Sequence, residues 1–139
     1  MPRKDIYHDL VRQALIADGW TITHDPLFIK WKGAEYFPDL GAEKVIAAEK
    51  GTEKTAIEIK SFAGVSFQTD FYEAIGKYDS YFLALSDLEP ERKVILAVPL
   101  DVYNKDFKKG YVQAMMQFKK MSIVVYNIDN QTITEWINY

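Results

Sequence analysis

A chain of 139 residues that is 48% hydrophobic and 14% aromatic can bury one substantial core, so a single domain spanning residues 1–139 is expected. It has no cysteine and two histidines, which excludes disulfides, thiolate zinc sites and cysteine nucleophiles and leaves any metal to be held mostly by oxygen, as magnesium and manganese are. Its net charge of −3 excludes a broad cationic surface that grips nucleic acid indiscriminately, so contact with DNA has to be local.

The opening Met1-Pro-Arg-Lys-Asp5 runs directly into an amphipathic stretch, and no window approaches the roughly 18 apolar residues of a membrane span. A soluble, cytoplasmic protein with no membrane partner is expected. From Asp5 to about Asp18, Ile6, Leu10, Val11, Ala14 and Leu15 recur at helical spacing and Gly19 supplies a stop. Trp20 to His24 reads as a strand, Asp25-Pro26 as a turn with His24 beside it, and Phe28 to Trp31 as a short strand ended by Lys32-Gly33. Val45 to Ala48 and Thr55 to Lys60 read as antiparallel strands joined by a turn over Lys50 to Glu53. Side chains alternate along a strand, so Ile57 and Ile59 face one way while Glu58 and Lys60 share the other face.

Ser66 is a reasonable N-cap for a helix whose apolar stripe is Phe67, Phe71, Ile75, Tyr78 and Phe82, with Glu73 and Lys77 adjacent on its surface. At helical spacing such an aromatic stripe reads as core. Val94 to Val98 and Ile123 to Tyr126 are continuous apolar runs, which marks central strands buried on both faces, with a crossover helix between them over Val102 to Lys120. Thr132 to Ile137 closes the sheet. The order α, β-meander, α, β, α, β, β predicts an α/β fold, a mixed central sheet flanked by helices on both sides. Lys105, Lys108, Lys109, Lys119 and Lys120 form the densest basic region and read as a solvated helix face.

The residues that carry chemistry are Glu58-Ile59-Lys60 on a strand with Pro38-Asp39 upstream across a hairpin. A divalent cation takes carboxylate oxygens, polarises a scissile phosphate and lowers the pKa of a bound water. Asp39 and Glu58 would hold magnesium or manganese, the Ile59 backbone carbonyl could add a ligand, and Lys60 would orient or activate the attacking water and offset charge on the phosphoryl oxygens. The competing reading is an exposed strand face with a salt-bridging pair. A hairpin turning over Lys50 to Glu53 would pair Val45 with Glu58, so Asp39 has to return through a bend at Leu40-Gly41-Ala42; without it Glu43, opposite Lys60, becomes the better ligand. His8 borders the first helix's apolar stripe, as an auxiliary ligand or phosphate contact, or as a partly exposed helix histidine. Lys50 to Thr55 lacks the order of a phosphate-binding loop, and neither histidine sits in the context of a serine triad.

Beyond this motif, Lys4-Asp-Ile-Tyr-His8, Asp18-Gly-Trp-Thr-Ile-Thr-His-Asp-Pro26, Asp39-Leu-Gly-Ala-Glu-Lys44, Ile46-Ala-Ala-Glu-Lys50, Glu58-Ile-Lys-Ser-Phe62 and the closing Glu135-Trp-Ile-Asn138 resemble signature segments of the cyanobacterial XisH proteins, the fdxN element excision controlling factors. The resemblance implies a restriction-endonuclease-like fold of the PD-(D/E)XK type. It also implies a role in site-specific excision of a DNA element during heterocyst development, alongside a site-specific recombinase and a companion protein, XisI. Asp39, Glu58 and Lys60 match the expected metal and catalytic positions. Where the family is expected to carry glutamine before Tyr78, this chain has Lys77. Two functions follow: a metal-dependent nuclease hydrolysing DNA phosphodiesters, with a homodimer plausible for cutting both strands, or a noncatalytic accessory factor that binds the recombinase, XisI or DNA.

Overall fold

The computed structural model describes residues 4–47 and 51–139. The first helix, α1 (His8–Ala17), buries Val11, Ala14 and Leu15 and starts about one turn later than its apolar pattern. Gly19, with φ +95°, ends it as expected: the Gly19 and Trp20 N–H groups fold back onto the Ile16 and Leu15 carbonyls at 3.1 and 3.0 Å. Three short strands follow, β1 (Thr21–His24), β2 (Ile29–Trp31) and β3 (Ala34–Tyr36), and then the long strands β4 (Leu40–Ala47) and β5 (Gly51–Ile59). The predicted meander is not formed, because β2 and β3 pair as a separate hairpin while β1 pairs antiparallel with β4.

The remaining elements are α2 (Phe67–Leu88), β6 (Arg92–Pro99), α3 (Leu100–Lys105), α4 (Gly110–Lys119), β7 (Ser122–Asn127) and β8 (Thr132–Asn138). The main sheet has six strands in the order β1-β4-β5-β6-β7-β8, with β5, β6 and β7 parallel and the others antiparallel. Consecutive crossovers of one hand moving in one direction place their helices on one face, and α2 and α4 pack there together. The opposite face is covered by α1. The mixed, helix-flanked α/β architecture is therefore as the sequence pattern indicates.

Alternation in the central strands sorts side chains between two cores. Val94, Leu96 and Val98 of β6 and Ile123 and Val125 of β7 face α2 and α4, whereas Ile95, Ala97, Val124 and Tyr126 face α1. Each fully buried branched side chain contributes about 1.5–3 kcal/mol of transfer free energy. The α2 stripe departs from expectation at its C-terminal half: Phe82 is 58% exposed, and Tyr81, Ala84 and Leu85 carry the buried face onward. The predicted single helix over 102–120 breaks in two because Phe107 turns inward and is fully buried. Its N–H and that of Asp106 both bond back to the Val102 carbonyl, closing α3 before α4 begins at Gly110.

The β4–β5 register corrects the largest sequence misreading. Leu40 pairs with Ile57, Glu43 with Lys54 and Val45 with Thr52, so Val45 does not meet Glu58 and Glu43 does not oppose Lys60. β5 runs further toward the hairpin tip than predicted, beginning at Gly51 instead of Thr55, and β4 begins earlier, at Leu40 instead of Val45. The polar run from Gly51 to Lys54 marks a ribbon projecting into solvent, where Val45 and Ile46 are also exposed, and not the turn itself. Ala48 of the predicted strand and Lys50 of the predicted turn lie outside the described residues. Among the described residues no helix is long and apolar enough to cross a membrane.

Candidate metal centre

Extending the β4–β5 register by one residue sets Asp39 against Glu58 with no bend at Leu40-Gly41-Ala42. Pro38, just upstream, accepts the Leu27 N–H at 3.0 Å through its carbonyl, which anchors the loop entering β4. The Asp39 Oδ2 atom accepts the Ile59 backbone N–H at 2.7 Å, so the carboxylate is fixed on the end of β5. Glu58 points to the opposite face from Ile57 and Ile59, under α2, and is 4% exposed. There Tyr81 donates its hydroxyl to Glu58 Oε1 at 3.0 Å, and Lys77 Nζ stands 3.4 Å from Oε2.

Lys60 shares that face, as alternation requires, but its ammonium is engaged by Glu73 at 3.0 Å. Lys77 reaches the same Glu73 oxygen at 3.7 Å. Two lysines therefore bracket one surface glutamate, and the one in contact with Glu58 comes from α2. The backbone leaving β5 is held from three sides. Asp5 accepts the Ser61 N–H at 2.9 Å, Tyr126 donates to the Lys60 carbonyl at 3.1 Å, and Phe62 adopts a left-handed φ of +57° with its ring stacked on Phe67. A cavity of about 330 Å³ is lined by Asp5, Asp39, Glu58, Lys60, Ser61 and Lys77.

Burial, reinforced by the facing Asp39, pushes the Glu58 carboxyl up to about 8. Asp39 is raised too, by burial, with the Ile59 N–H holding it partly down. The Tyr81 phenol is raised by burial and by Glu58. For Lys77 burial works to depress the ammonium, yet Glu58 and Glu73 together leave it above its ordinary value. The hydrogen bond from Lys60 lowers Glu73.

His8 is buried, at 3% exposure, which corrects the partly exposed alternative. Its Nε2 atom lies 2.6 Å from Asp25 Oδ1 and its Nδ1 3.9 Å from Asp39 Oδ1; Arg12 Nε meets the other Asp25 oxygen at 3.1 Å. A chain Arg12–Asp25–His8 thus stands behind Asp39. Sequence reading assigned Asp25 only to a turn and missed Arg12, Asp5, Tyr81 and Tyr126, because their partners are 13 to 66 residues away in the chain. Glu43 is remote from this centre: it faces Arg92 at 3.9 Å. The basic residues also separate, Lys105, Lys108 and Lys109 lying before α4 and Lys119 and Lys120 at its far end, with Lys119 paired to Asp79 at 2.7 Å.

Among the described residues no three His, Cys, Asp or Glu side chains converge as a metal cluster. Two carboxylates are nevertheless a fitting donor set for magnesium or manganese, which keep several waters and are commonly held by one or two carboxylates together with substrate phosphate. The position of Asp39 opposite Glu58, with one Asp39 oxygen fixed by the Ile59 N–H, is the observation that supports the fit. Ionising the pair is costly in the bare protein, and a hard divalent cation removes that cost.

The family model described as XisH protein matches residues 1–134. The chain is similar to the crystal structure of an XisH family protein from Nostoc punctiforme PCC 73102, with 35% identity, a TM-score of 0.87, and coverage of 96% of this chain and 100% of that one. It is equally similar to a fdxN element excision controlling factor protein from Anabaena variabilis, at 34% identity and TM-score 0.87 over 97% and 100% of the two chains. No curated protein matches.

Proposed function

The chain belongs to the XisH family, and from that premise we propose that it serves excision of a DNA element as a divalent-metal-dependent nuclease of the restriction-endonuclease-like PD-(D/E)XK type. The observation that carries the reading is the pairing of Asp39 with Glu58 across β4 and β5, Glu58 buried and Asp39 partly so, beside Lys60 and Lys77. Asp39, Glu58 and the Ile59 carbonyl would hold magnesium or manganese, which supplies Lewis-acid polarisation of the phosphate and a water of lowered pKa. The chain's own residues do the rest. Tyr81 and the Ile59 N–H orient the two carboxylates. Lys77 offsets charge at the phosphoryl oxygens, while Lys60, on leaving Glu73, orients the attacking water. His8, fixed by Asp25, positions Asp39.

The test is incubation of purified protein with supercoiled, single-stranded and branched DNA in manganese and in magnesium. Asp39→Asn, which keeps the acceptor for Ile59 N–H, and Lys60→Ala are prepared identically. Cleavage by the parent that both substitutions abolish is the expected result; no cleavage on any substrate by folded protein overturns it.

A second reading, a noncatalytic factor that binds the recombinase, an XisI-type companion or a second copy of the chain, is favoured by one observation: Lys60 is held by Glu73 instead of standing free over the carboxylates. Retained binding to such a partner by Asp39→Asn, with no cleavage by the parent, distinguishes it.

A further inference from the structure

We infer that the cavity adjoining the carboxylate site is a subsite for one unpaired nucleobase, so that the substrate is DNA presenting a single-stranded base next to the phosphate at Asp39 and Glu58. The inference rests on the nuclease reading and adds its substrate class. This second cavity, of about 390 Å³, shares Phe37, Glu73 and Lys77 with the carboxylate cavity. It is also joined to it through Tyr81, which lines the second cavity and donates its hydroxyl to Glu58. A phosphate held in one therefore places the attached nucleoside at the mouth of the other.

Part of its wall is aromatic, built from Tyr36, Phe37, Tyr72 and Tyr81. Tyr36 stands edge-on to Tyr81, with ring centroids 6.0 Å apart, and Phe37 packs against Phe28 at 5.2 Å. The hairpin β2–β3 that carries Tyr36 is pinned to α2 by the Trp31 indole N–H, which donates to Asp87 at 2.9 Å. Tyr72, 49% exposed, offers a further ring from α2. Such surfaces, organised before binding, are what unpaired bases stack on.

Gly76 lies in the middle of α2 on the cavity wall, and a Cβ added there would meet nothing within 4 Å. Glycine inside a helix costs about 1 kcal/mol relative to alanine, and packing in this protein does not demand it, so the open floor is what the residue provides. Beside it Ser80 donates its hydroxyl to the Gly76 carbonyl at 2.9 Å, leaving the serine oxygen to accept from a base edge. The cavity has room for one base, and a base can enter it and stack on these rings only when it is out of its pair.

The test measures binding of a short labelled strand, and of the same sequence as duplex, to the full chain in calcium, for the parent, Gly76→Leu and Tyr72→Ala, each first shown by circular dichroism and melting to be folded. The parent is expected to prefer the single strand. Each substitution is expected to weaken single-strand binding roughly 5- to 100-fold and to leave duplex binding unchanged. An abasic site scanned along the strand should reproduce the loss at one position in the parent and have no further effect there in Gly76→Leu. Equal affinity for strand and duplex, unaltered binding by both variants, or an abasic effect spread evenly along the strand each overturns the inference. If the parent cuts duplex DNA while any of those results is found, the subsite falls and the nuclease reading stands. If the subsite results appear with no cleavage of any DNA, the subsite stands and hydrolysis is withdrawn.

Discussion

Two charged clusters sit on the same pair of strands and are handled in opposite ways. Toward the hairpin tip, Arg92 is buried yet fully engaged: it donates to Thr55 O at 2.9 Å and to Glu89 Oε2 at 2.8 Å, and faces Glu43 at 3.9 Å. Its hydrogen bond holds Glu89 below its ordinary value. At the other end, Asp39 and Glu58 are both raised, with Lys77 alone touching Glu58 from the cationic side. The first cluster is complete within the chain and reads as structure. The second is short of positive charge, and buried charge left that way is tolerated where a ligand supplies the balance.

The sharpest way to test that contrast is pH. Glu58 folded titrates near 8, above its unfolded value of 4.5, so the folded state holds an extra proton in between and stability falls as pH rises through that window. The penalty is absent below about 4.5, complete above about 8, and accrues at up to about 1.4 kcal/mol per pH unit. Urea titrations in chelator should show this slope; Glu58→Gln, or saturating manganese, should flatten it. A slope unchanged by Glu58→Gln would break the comparison.

Next in size, Arg92→Leu should lower stability by about 2–3 kcal/mol, read as a shifted urea midpoint at pH 7, because it strips partners from the Thr55 carbonyl and from Glu89. At pH 8 Glu58→Gln should move the midpoint the other way. Lys77→Gln should displace the Glu58 titration, followed by carboxyl NMR, to higher pH by less than a unit, since Lys77 is half-exposed. The smallest effect belongs to Glu73→Gln, which frees Lys60. Its stability change should stay within about 0.5 kcal/mol, because the glutamate is solvated.

The strands and helices that bury both faces or one stripe were legible because alternation and helical period state them directly: Val94 to Val98, Ile123 to Tyr126 and Ser66 as the α2 cap all stand where the pattern puts them. Register was not. A polar run such as Gly51 to Lys54 looks the same whether it turns or projects into water, and a three-residue displacement of the turn moved Asp39 from misplaced to directly opposite Glu58. For the same reason Glu43 looked like a ligand and is instead an Arg92 partner. His8 was legible as a candidate but its burial was not, since that depends on Asp25, across the β1 turn. Nothing local marks Tyr81 as a partner of Glu58. The Glu73–Lys77 spacing showed that those two meet, but not that Lys60 joins them.

The measurement that bears most directly on the paired carboxylates is a melting titration with manganese at pH 8, on the parent, Asp39→Asn and Glu58→Gln. The parent should be stabilised progressively, by about 2.7 kcal/mol when metal reaches a hundredfold excess over its dissociation constant, and both variants should lose most of that gain. A parent that does not respond, or variants that respond as the parent does, would contradict a cation held between Asp39 and Glu58.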